Sequence, residues 1–380
     1  MSSISYPAEL EAHWLQTAKT ETRGSAIRDI LHRLTPDIVR LADRFTTARP
    51  PEAAPGAAPY LRDTRSCAAY SLFFAPQTYA RLSLILAELP PFPDTPKPLR
   101  VLDLGAGTGA ASWALLDHLG RRRPVALSAW DHSRPALRCL HDLFADLRTA
   151  RWPEATLRTT PAPLDDFPPA SEPYDVILLH YVLNELPADS RRTLLSRAAR
   201  SLAPHGRLLL CEPLVHAAGD FMRGLRAHAL EDLHLHVLAP CPHARACPLD
   251  GPCHDVRTWT PSQALQILNA SLHRDLRHLA YSFLALSPEA PPAAETLRAR
   301  VVGSPSHAKG HSVCPACCPD GQLHRLQLLH RDFDTAGRKS LRHLERGQLL
   351  SLASLSPLRD PSLFRASPAT SSPSPLNPEP

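Results

Sequence analysis

Val101-Leu102-Asp103-Leu104-Gly105-Ala106-Gly107-Thr108-Gly109-Ala110 is an apolar run that enters a Gly-x-Gly-x-Gly turn, and a segment with an amphipathic look, Ala111 to Leu119, follows at once. Gly105 and Gly107 let the backbone turn sharply and approach a ligand with no Cβ in the way, while the first turn of the helix beyond offers unpaired N–H groups. The pattern predicts a strand, a tight turn and a helix that together hold a nucleotide-type ligand. Glycines also serve packing in many such turns, so the neighbouring segments decide the reading.

Working outward, Val125-Ala126-Leu127-Ser128-Ala129-Trp130 is a second strand that ends on Asp131, a carboxylate suited to accept ribose hydroxyls or simply to face solvent. Ala162-Pro163-Leu164-Asp165-Asp166-Phe167 puts two carboxylates after a third strand, where a helix cap is the plainer alternative. Tyr174 to His180 and Gly206 to Pro213 read as strands four and five. Strands alternating with helical patterns from 99 to 213 predict an α/β fold with a doubly wound parallel sheet. A dinucleotide is disfavoured, because the third glycine comes too early for the pyrophosphate fingerprint GxGxxG.

This arrangement resembles the class I S-adenosylmethionine-dependent methyltransferases, whose sheet is Rossmann-like. The resemblance implies that Asp103, Gly105 and Gly107 face the methionine end, with Gly109 in the same turn. It also implies Asp131 at the ribose and Asp165 or Asp166 at the adenine.

The remaining chain divides by pattern into an N-terminal helical cap (1–95), the core (96–237), a cysteine-containing β region (238–350) and a tail (351–380). In the cap, Leu10, Trp14, Ile27, Ile30, Leu31, Leu34, Ile38 and Leu41 recur at helical spacing. A proline-rich connector, Arg49 to Pro59, precedes a second helical stretch, Arg65 to Leu89, and a proline cluster, Pro90 to Pro98, leads into the first strand. After a helix expected over Ala218 to Leu235 come a helical pattern, Pro261 to Leu279, and a strand, Ala280 to Leu286. Arg298 to Val302, Gly310 to Val313 and Gln322 to His330 are expected as short antiparallel strands. From Ser351 the chain is Ser, Pro and Leu without periodicity, which predicts disorder.

With 380 residues, 43% of them hydrophobic, the chain can bury a large core. No run approaches a membrane span, and Met1-Ser2-Ser3-Ile4-Ser5-Tyr6-Pro7 lacks a basic region followed by an apolar one, so a cytoplasmic, bacterium-like setting is expected, an organelle requiring a transit peptide already removed. A net charge of +5 permits a nucleic-acid partner without demanding one. Composition leaves the oligomeric state open.

Six of nine cysteines lie in two clusters, Cys241, Cys247 and Cys253 in the first and Cys314, Cys317 and Cys318 in the second. Closely spaced cysteines in Pro- and Gly-containing loops of a reducing compartment point to a metal centre, since several thiolates must converge. Zinc, with His243 or His254 taking part, suits a pair such as Cys314 and Cys317, whereas the wide spacing of the first cluster suits an iron–sulfur cube closed by a distant fourth thiolate. A metal-free reading stays open beside these two. Cys67, Cys139 and Cys211 fall within helix or strand patterns and read as buried residues.

Joined to the core, Leu238-Ala239-Pro240-Cys241-Pro242-His243, Cys247-Pro248 and Cys253-His254 resemble the small-ribosomal-subunit methyltransferase-like family of bacteria and mitochondria. The likeness runs over about residues 65 to 345, through Tyr181-Val182-Leu183-Asn184-Glu185-Leu186-Pro187, Glu212-Pro213 and Lys309-Gly310-His311. It implies a 4Fe-4S cluster on Cys241, Cys247, Cys253 and Cys317, with Cys318 and Cys314 as substitutes for the last, and the small ribosomal subunit and its rRNA as partners. The chain departs from the family pattern at Pro252 and Asp255 and over Ser340 to His343.

Catalysis stays open at this stage. Amino-methylating enzymes present Asn/Asp-Pro-Pro-aromatic after strand four, and here His180-Tyr181-Val182-Leu183 stands instead. His180 and Tyr181 lie at the mouth of the site or pack as ordinary strand-end residues. Three functions therefore compete: rRNA methylation, a non-catalytic RNA-binding assembly factor, and a small-molecule methyltransferase. The basic stretches Arg121 to Arg123, Arg191-Arg192, Arg223 to Arg226, Arg325 to Arg331 and Arg338 to Arg346 would form a phosphate track if they shared one face.

Overall fold

A computed structural model of the chain describes residues 4–45, 59–93, 97–121, 123–168, 172–214, 218–292, 295–360 and 362–369. In chain order the helices and strands of the first half are α1 (Ala8–Thr22), α2 (Ile27–Phe45), α3 (Thr64–Phe73), α4 (Ala75–Leu86), β1 (Leu99–Leu104), α5 (Ala110–Leu119), β2 (Val125–Asp131), α6 (Arg134–Arg151), β3 (Ala155–Pro161), β4 (Tyr174–His180), α7 (Ala188–Arg200) and β5 (Leu202–Pro213). The second half adds α8 (Ala218–Glu231), β6 (His236–Ala239), β7 (Asp255–Thr258), α9 (Gln263–Ser271), β8 (His278–Ser287), β9 (Leu297–Val301), β10 (Ser306–Ala308), β11 (His311–Cys317), β12 (Leu323–Leu329), α10 (Thr335–Arg342), β13 (Leu349–Pro357) and β14 (Leu363–Pro368).

The chain groups into two units, the first formed by residues 1–86, 90–212 and 258–279 and the second by 87–89, 213–257 and 280–380. In the first, β3-β2-β1-β4-β5 form a parallel sheet, with Val101 level with Leu127 on one side and Val176 on the other. The strand order reverses between β1 and β4, so the turns leaving those two strands face one crevice, the usual ligand position in such sheets. Ile177, Leu178 and Leu179 are fully buried, as strands covered on both faces must be.

Local chemistry sets the helices. The Asp63 side chain accepts the Ser66 N–H and the Ser66 hydroxyl faces back to Asp63, a capping box that starts α3. Ser133 caps α6, with a proline in its first turn. In α2, Ile30, Leu31, Leu34, Ile38 and Leu41 form one buried stripe. In α5 every residue from Ala110 to Leu116 is buried, so the helix read as amphipathic is a core helix.

In the second unit β6 and β7 pair with β8. The later strands make a separate sheet in the order β10-β11-β12-β14-β13-β9, and β9 pairs also with β11, which closes five of the strands into a barrel. Ala299, Val301, Cys314, Ala316, Leu326, Leu328 and Leu352 fill its core. The stretch expected to be disordered from Ser351 instead supplies β13 and β14, held by ladders to β9 and β12. Residues 370–380 of that expected tail, and 46–58, which include 49–58 of the proline-rich connector, lie outside the described residues. Among the described residues no helix is long and apolar enough to cross a membrane.

Candidate cofactor crevice and cysteine cleft

The three glycines of the first unit do different things. Gly105 has φ +76°, and a Cβ there would run into Val182. Gly109 has φ +88°, and a Cβ there would sit 2.5 Å from the Trp113 ring, so this glycine serves packing. Gly107, at φ +53°, is the open one, since a Cβ would meet nothing nearer than Leu61 Cδ1 at 3.9 Å. All three need the left-handed region that glycine enters without strain. The turn is fastened by N–H groups of Gly105 and Ala106 that donate to the Trp130 carbonyl at 2.8 and 3.1 Å.

Asp131 is tied into that turn. The Gly107 N–H donates to its Oδ2 at 2.8 Å and the Ser133 N–H to its Oδ1 at 2.7 Å. Burial raises its proton affinity, and those two amides oppose the rise. Asp103 is 1% exposed, accepts the Ser112 hydroxyl at 2.6 Å, and is pushed up to about 7 by burial. Asp165 and Asp166 occupy a short 3₁₀ turn after β3 with both carboxylates exposed. That turn adjoins Asp131 through the Ala162 N–H, which donates to the Asp131 carbonyl at 3.1 Å.

Two aromatic residues that no motif singled out complete the crevice. Tyr60 and Tyr70 lie 6.4 Å apart by ring centroid, and both phenols, pushed up chiefly by burial, also feel the charges of Glu185 and Asp131. The Phe45 ring meets both edge-on, at 5.0 and 6.4 Å between centroids. Ser71, next along α3, donates its hydroxyl to Thr108 Oγ1 at 2.8 Å, fixing α3 on the glycine turn. Tyr60 precedes α3 and Tyr70 lies on it, so only tertiary packing brings the two rings together.

After β4, His180 is 6% exposed and burial lowers it to about 3, so it is neutral and a weak base; neither ring nitrogen has a hydrogen-bond partner. Tyr181 adopts φ +63°, a strained value for a non-glycine residue, and the Arg81 guanidinium carbon lies 5.3 Å from its ring centroid. The Asn184 amide donates to Glu212, and the Leu183 N–H donates to the same carboxylate at 2.8 Å. Glu212 is fully buried and pushed up to about 8 by that burial.

In the second unit Cys241, Cys247, Cys253 and Cys317 line one cleft of about 310 Å³, its solvent mouth included, together with Arg226, His243 and Arg300. Burial pushes Cys253 and Cys317 up to about 12, and Cys241 upward, so as free thiols they stay protonated. Arg226 Nε donates to Cys241 Sγ at 3.2 Å, and His243 Nε2 is 3.2 Å from Cys317 Sγ. Arg300 is 3% exposed by side chain and pairs with Glu88 at 2.8 Å and with Asp255. Cys314 and Cys318 point instead into the barrel core beside Ala316, the result of side chains alternating along β11. His254 is turned to the Pro252 carbonyl at 3.0 Å, away from the cleft lining. Among the described residues no three His, Cys, Asp or Glu side chains gather as a single metal ion requires.

Of the basic stretches, Arg223 to Arg226 is turned into the fold. Arg226 is 5% exposed and Arg223 donates to the Leu249 carbonyl, so that stretch supports the cysteine segment and is no phosphate track. Arg122 lies outside the described residues.

A family model described as Mitochondrial small ribosomal subunit Rsm22 matches residues 64–350. A ribosomal protein L11 methyltransferase from Bradyrhizobium diazoefficiens is 33% identical over 142 residues, 37% of this chain and 44% of that protein, so the chain spans less than half of this curated relative. Among solved structures, the plantazolicin methyltransferase BpumL, crystallised with SAH and a substrate analogue, is similar at TM-score 0.39 and 12% identity over 69% of this chain and 99% of its own. A TehB-like SAM-dependent methyltransferase from Corynebacterium glutamicum is similar at TM-score 0.33 and 16% identity over 56% and 88%.

Proposed function

The chain belongs to the Mitochondrial small ribosomal subunit Rsm22 family, and from that membership we propose that it is an S-adenosylmethionine-binding, methyltransferase-like protein that works with the small ribosomal subunit. The observation that carries the reading is the Gly107 to Asp131 hydrogen bond at a glycine with open space beside it, set at the switch point of a parallel sheet. Open space at Gly107 leaves room for the methionine portion of a cofactor, and Asp131 retains lone pairs for ribose hydroxyls after accepting two amides. Tyr60 and Tyr70 supply apolar walls and exclude water. Asp103, buried under α5, holds a carboxylate whose ionisation a nearby cationic amino group would favour. Asp165 or Asp166, exposed in the turn that adjoins Asp131, is the partner assigned to the adenine. When bound, the cofactor supplies an electrophilic methyl group on a sulfonium, and alignment is then what the crevice contributes.

The residues of the cysteine cleft fit a 4Fe-4S cluster better than one zinc ion. Four thiols around one cleft suit ligands spread over a polynuclear centre, whereas zinc needs sulfurs about 2.3 Å from a common point. Deprotonating Cys241, Cys253 and Cys317 is costly because burial favours their neutral forms, and the adjoining Arg226 and Arg300 offset the resulting negative charge. We assign the cluster to Cys241, Cys247, Cys253 and Cys317, where it would act as a structural or redox centre.

A second reading, assembly factor without transfer, draws support from the turn after β4. Asn184 is already committed to Glu212, and His180 is too weakly basic to take a proton at neutral pH. Incubating isolated small subunits and the full chain with methyl-labelled cofactor decides between the two. Label in rRNA is the result expected of the enzyme, and salt-sensitive co-sedimentation without label leaves the assembly role. Failure of both ends the ribosomal reading. Anaerobic purification should give brown protein with about four iron atoms per chain. Colourless protein with one zinc overturns the cluster. Bacterial cytoplasm and mitochondria both contain small subunits, and fractionation of the source cells tells which houses this chain.

A further inference from the structure

The barrel of the second unit has a connectivity of its own. Taking β9, β11, β12, β13 and β14 as strands one to five, strand one pairs antiparallel with two, two with three, five with four and four with one. Strand three pairs with strand five in parallel, and α10 lies between strands three and four. This closed 1-2-3-5-4-1 Greek key with a helix after strand three is the plan of oligonucleotide- and oligosaccharide-binding barrels, which take their ligands on strands two and three and at the connection from strand one to two.

In this chain that connection and its neighbours carry positive charge. It contains His307 and Lys309, both exposed. His307 Nδ1 and His330 Nε2 lie 2.9 and 3.0 Å from the same Ser312 hydroxyl, and the His330 N–H donates to the Gly310 carbonyl at 2.8 Å. The segment leaving strand three, with His330 and Arg331, is thereby fixed against the connection from strand one. Arg338 of α10 reaches the same rim, its Nε donating to the His330 carbonyl at 3.0 Å, and Arg342 follows one helical turn later on α10. Asp332 is engaged by Arg365 at 3.1 Å, while Lys309 and Arg342 have no ion-pair partner among the described residues. A rim with more cations than carboxylates, Asp332 lying 3.9 Å from Arg331 Nε, fits a polyanion better than a neutral sugar on a barrel of this plan.

We propose that this barrel binds single-stranded RNA, with Lys309, Arg331 and Arg342 on backbone phosphates and His307 and His311 against the bases. The inference deepens the ribosomal reading and rests on it for the choice of RNA. Single strands suit the barrel because bases stack on exposed rings while cations track the backbone.

Fluorescence anisotropy on the full chain with a labelled oligouridine strand tests it. The variant Lys309→Gln/Arg331→Gln/Arg342→Gln should weaken binding by about tenfold or more and reduce the salt slope by about 2, from roughly 0.7 per phosphate contact. A control with equal charge removed from the first unit, Arg138→Gln/Arg192→Gln/Arg200→Gln, should bind nearly as wild type does, with thermal melts checking the fold of both. Equal losses in the two variants, no loss in the rim variant, or stronger binding of an RNA duplex or of polyglutamate would each overturn the assignment. Co-sedimentation of the wild type with small subunits is read separately. Rim-dependent RNA binding without subunit binding sinks the ribosomal reading alone, and subunit binding unaffected by the rim variant sinks the barrel assignment alone.

Discussion

Gly107 donates its amide hydrogen to Asp131 Oδ2 at 2.8 Å, so the open glycine after β1 and the carboxylate ending β2 form one unit. Asp131→Ala should strand two buried amides, lowering stability by roughly 1–3 kcal/mol, and should weaken cofactor binding by about tenfold or more. Asp131→Asn keeps one acceptor and should lose less of both. Calorimetric titration with S-adenosylmethionine beside thermal melts measures the two effects, and unchanged cofactor affinity in Asp131→Ala would reduce the residue to a staple for the turn.

The glycines should separate by phenotype. Gly107→Ala adds a methyl group where space exists and carries only the left-handed backbone penalty, about 1 kcal/mol, so a folded protein with impaired cofactor binding is expected. Gly109→Ala forces a methyl group against the Trp113 ring and should lower the melting temperature far more. The reverse ranking would mean that the ligand lies on the other side of the turn.

Stability should fall as pH rises across the neutral range. Asp103 and Glu212 hold protons in the folded state up to about 7 and about 8, well above the ordinary carboxylate range, because burial penalises their charged forms. Their stabilising contribution is complete below about pH 4 and is lost as the pH passes through those values. Glu212→Gln removes one titration and should flatten the upper part of the profile in denaturant midpoints measured from pH 5 to pH 9. An unchanged slope in that variant would assign the dependence elsewhere.

Serine substitutions divide the cysteines. Cys241→Ser, Cys247→Ser, Cys253→Ser and Cys317→Ser should each lower bound iron and bleach the visible absorbance of anaerobic protein. Cys314→Ser and Cys318→Ser place a hydroxyl in the barrel core, so they should lower stability with iron content kept. Iron loss on Cys314→Ser with retention on Cys317→Ser would transfer the fourth position.

Arg300→Met leaves Asp255 buried without its ion-pair partner, while Glu88 keeps Arg257 at 3.0 Å, and this should cost about 3–5 kcal/mol. Adding Asp255→Asn to that variant should recover part of the loss. Additive losses measured by chemical denaturation would show that the pair does not depend on Arg300.

The segments that could be read directly were those whose local pattern and tertiary setting agree. Val101 to Ala110 combines an apolar run with glycines that the turn requires, and Tyr174 to His180 is β4 to the residue. The Ser- and Leu-rich stretch after residue 350 carries no β-branched or aromatic run until Phe364, and it forms strands because β9 and β12 offer unsatisfied edges. The family resemblance puts Cys317 ahead of Cys318 and Cys314, but a strand ending at Val313 gives no physical ground for that order. Once β11 extends to Cys317, the two-residue repeat sends Cys314 inward and Cys317 outward. Pattern alone puts Arg226 in a basic stretch and Arg300 in a short strand, because arginine is ordinarily a surface residue, and only contact across the fold shows them beside the sulfurs.

The position of β14 between β12 and β13 has a practical side. Trimming the gene after residue 350, where the family likeness stops, would pull out an interior slat along with most of β13 and leave β12 with naked amides and carbonyls on one flank. Such a flank recruits strands from other molecules, so shortened versions of this chain should clump where the intact one stays dispersed.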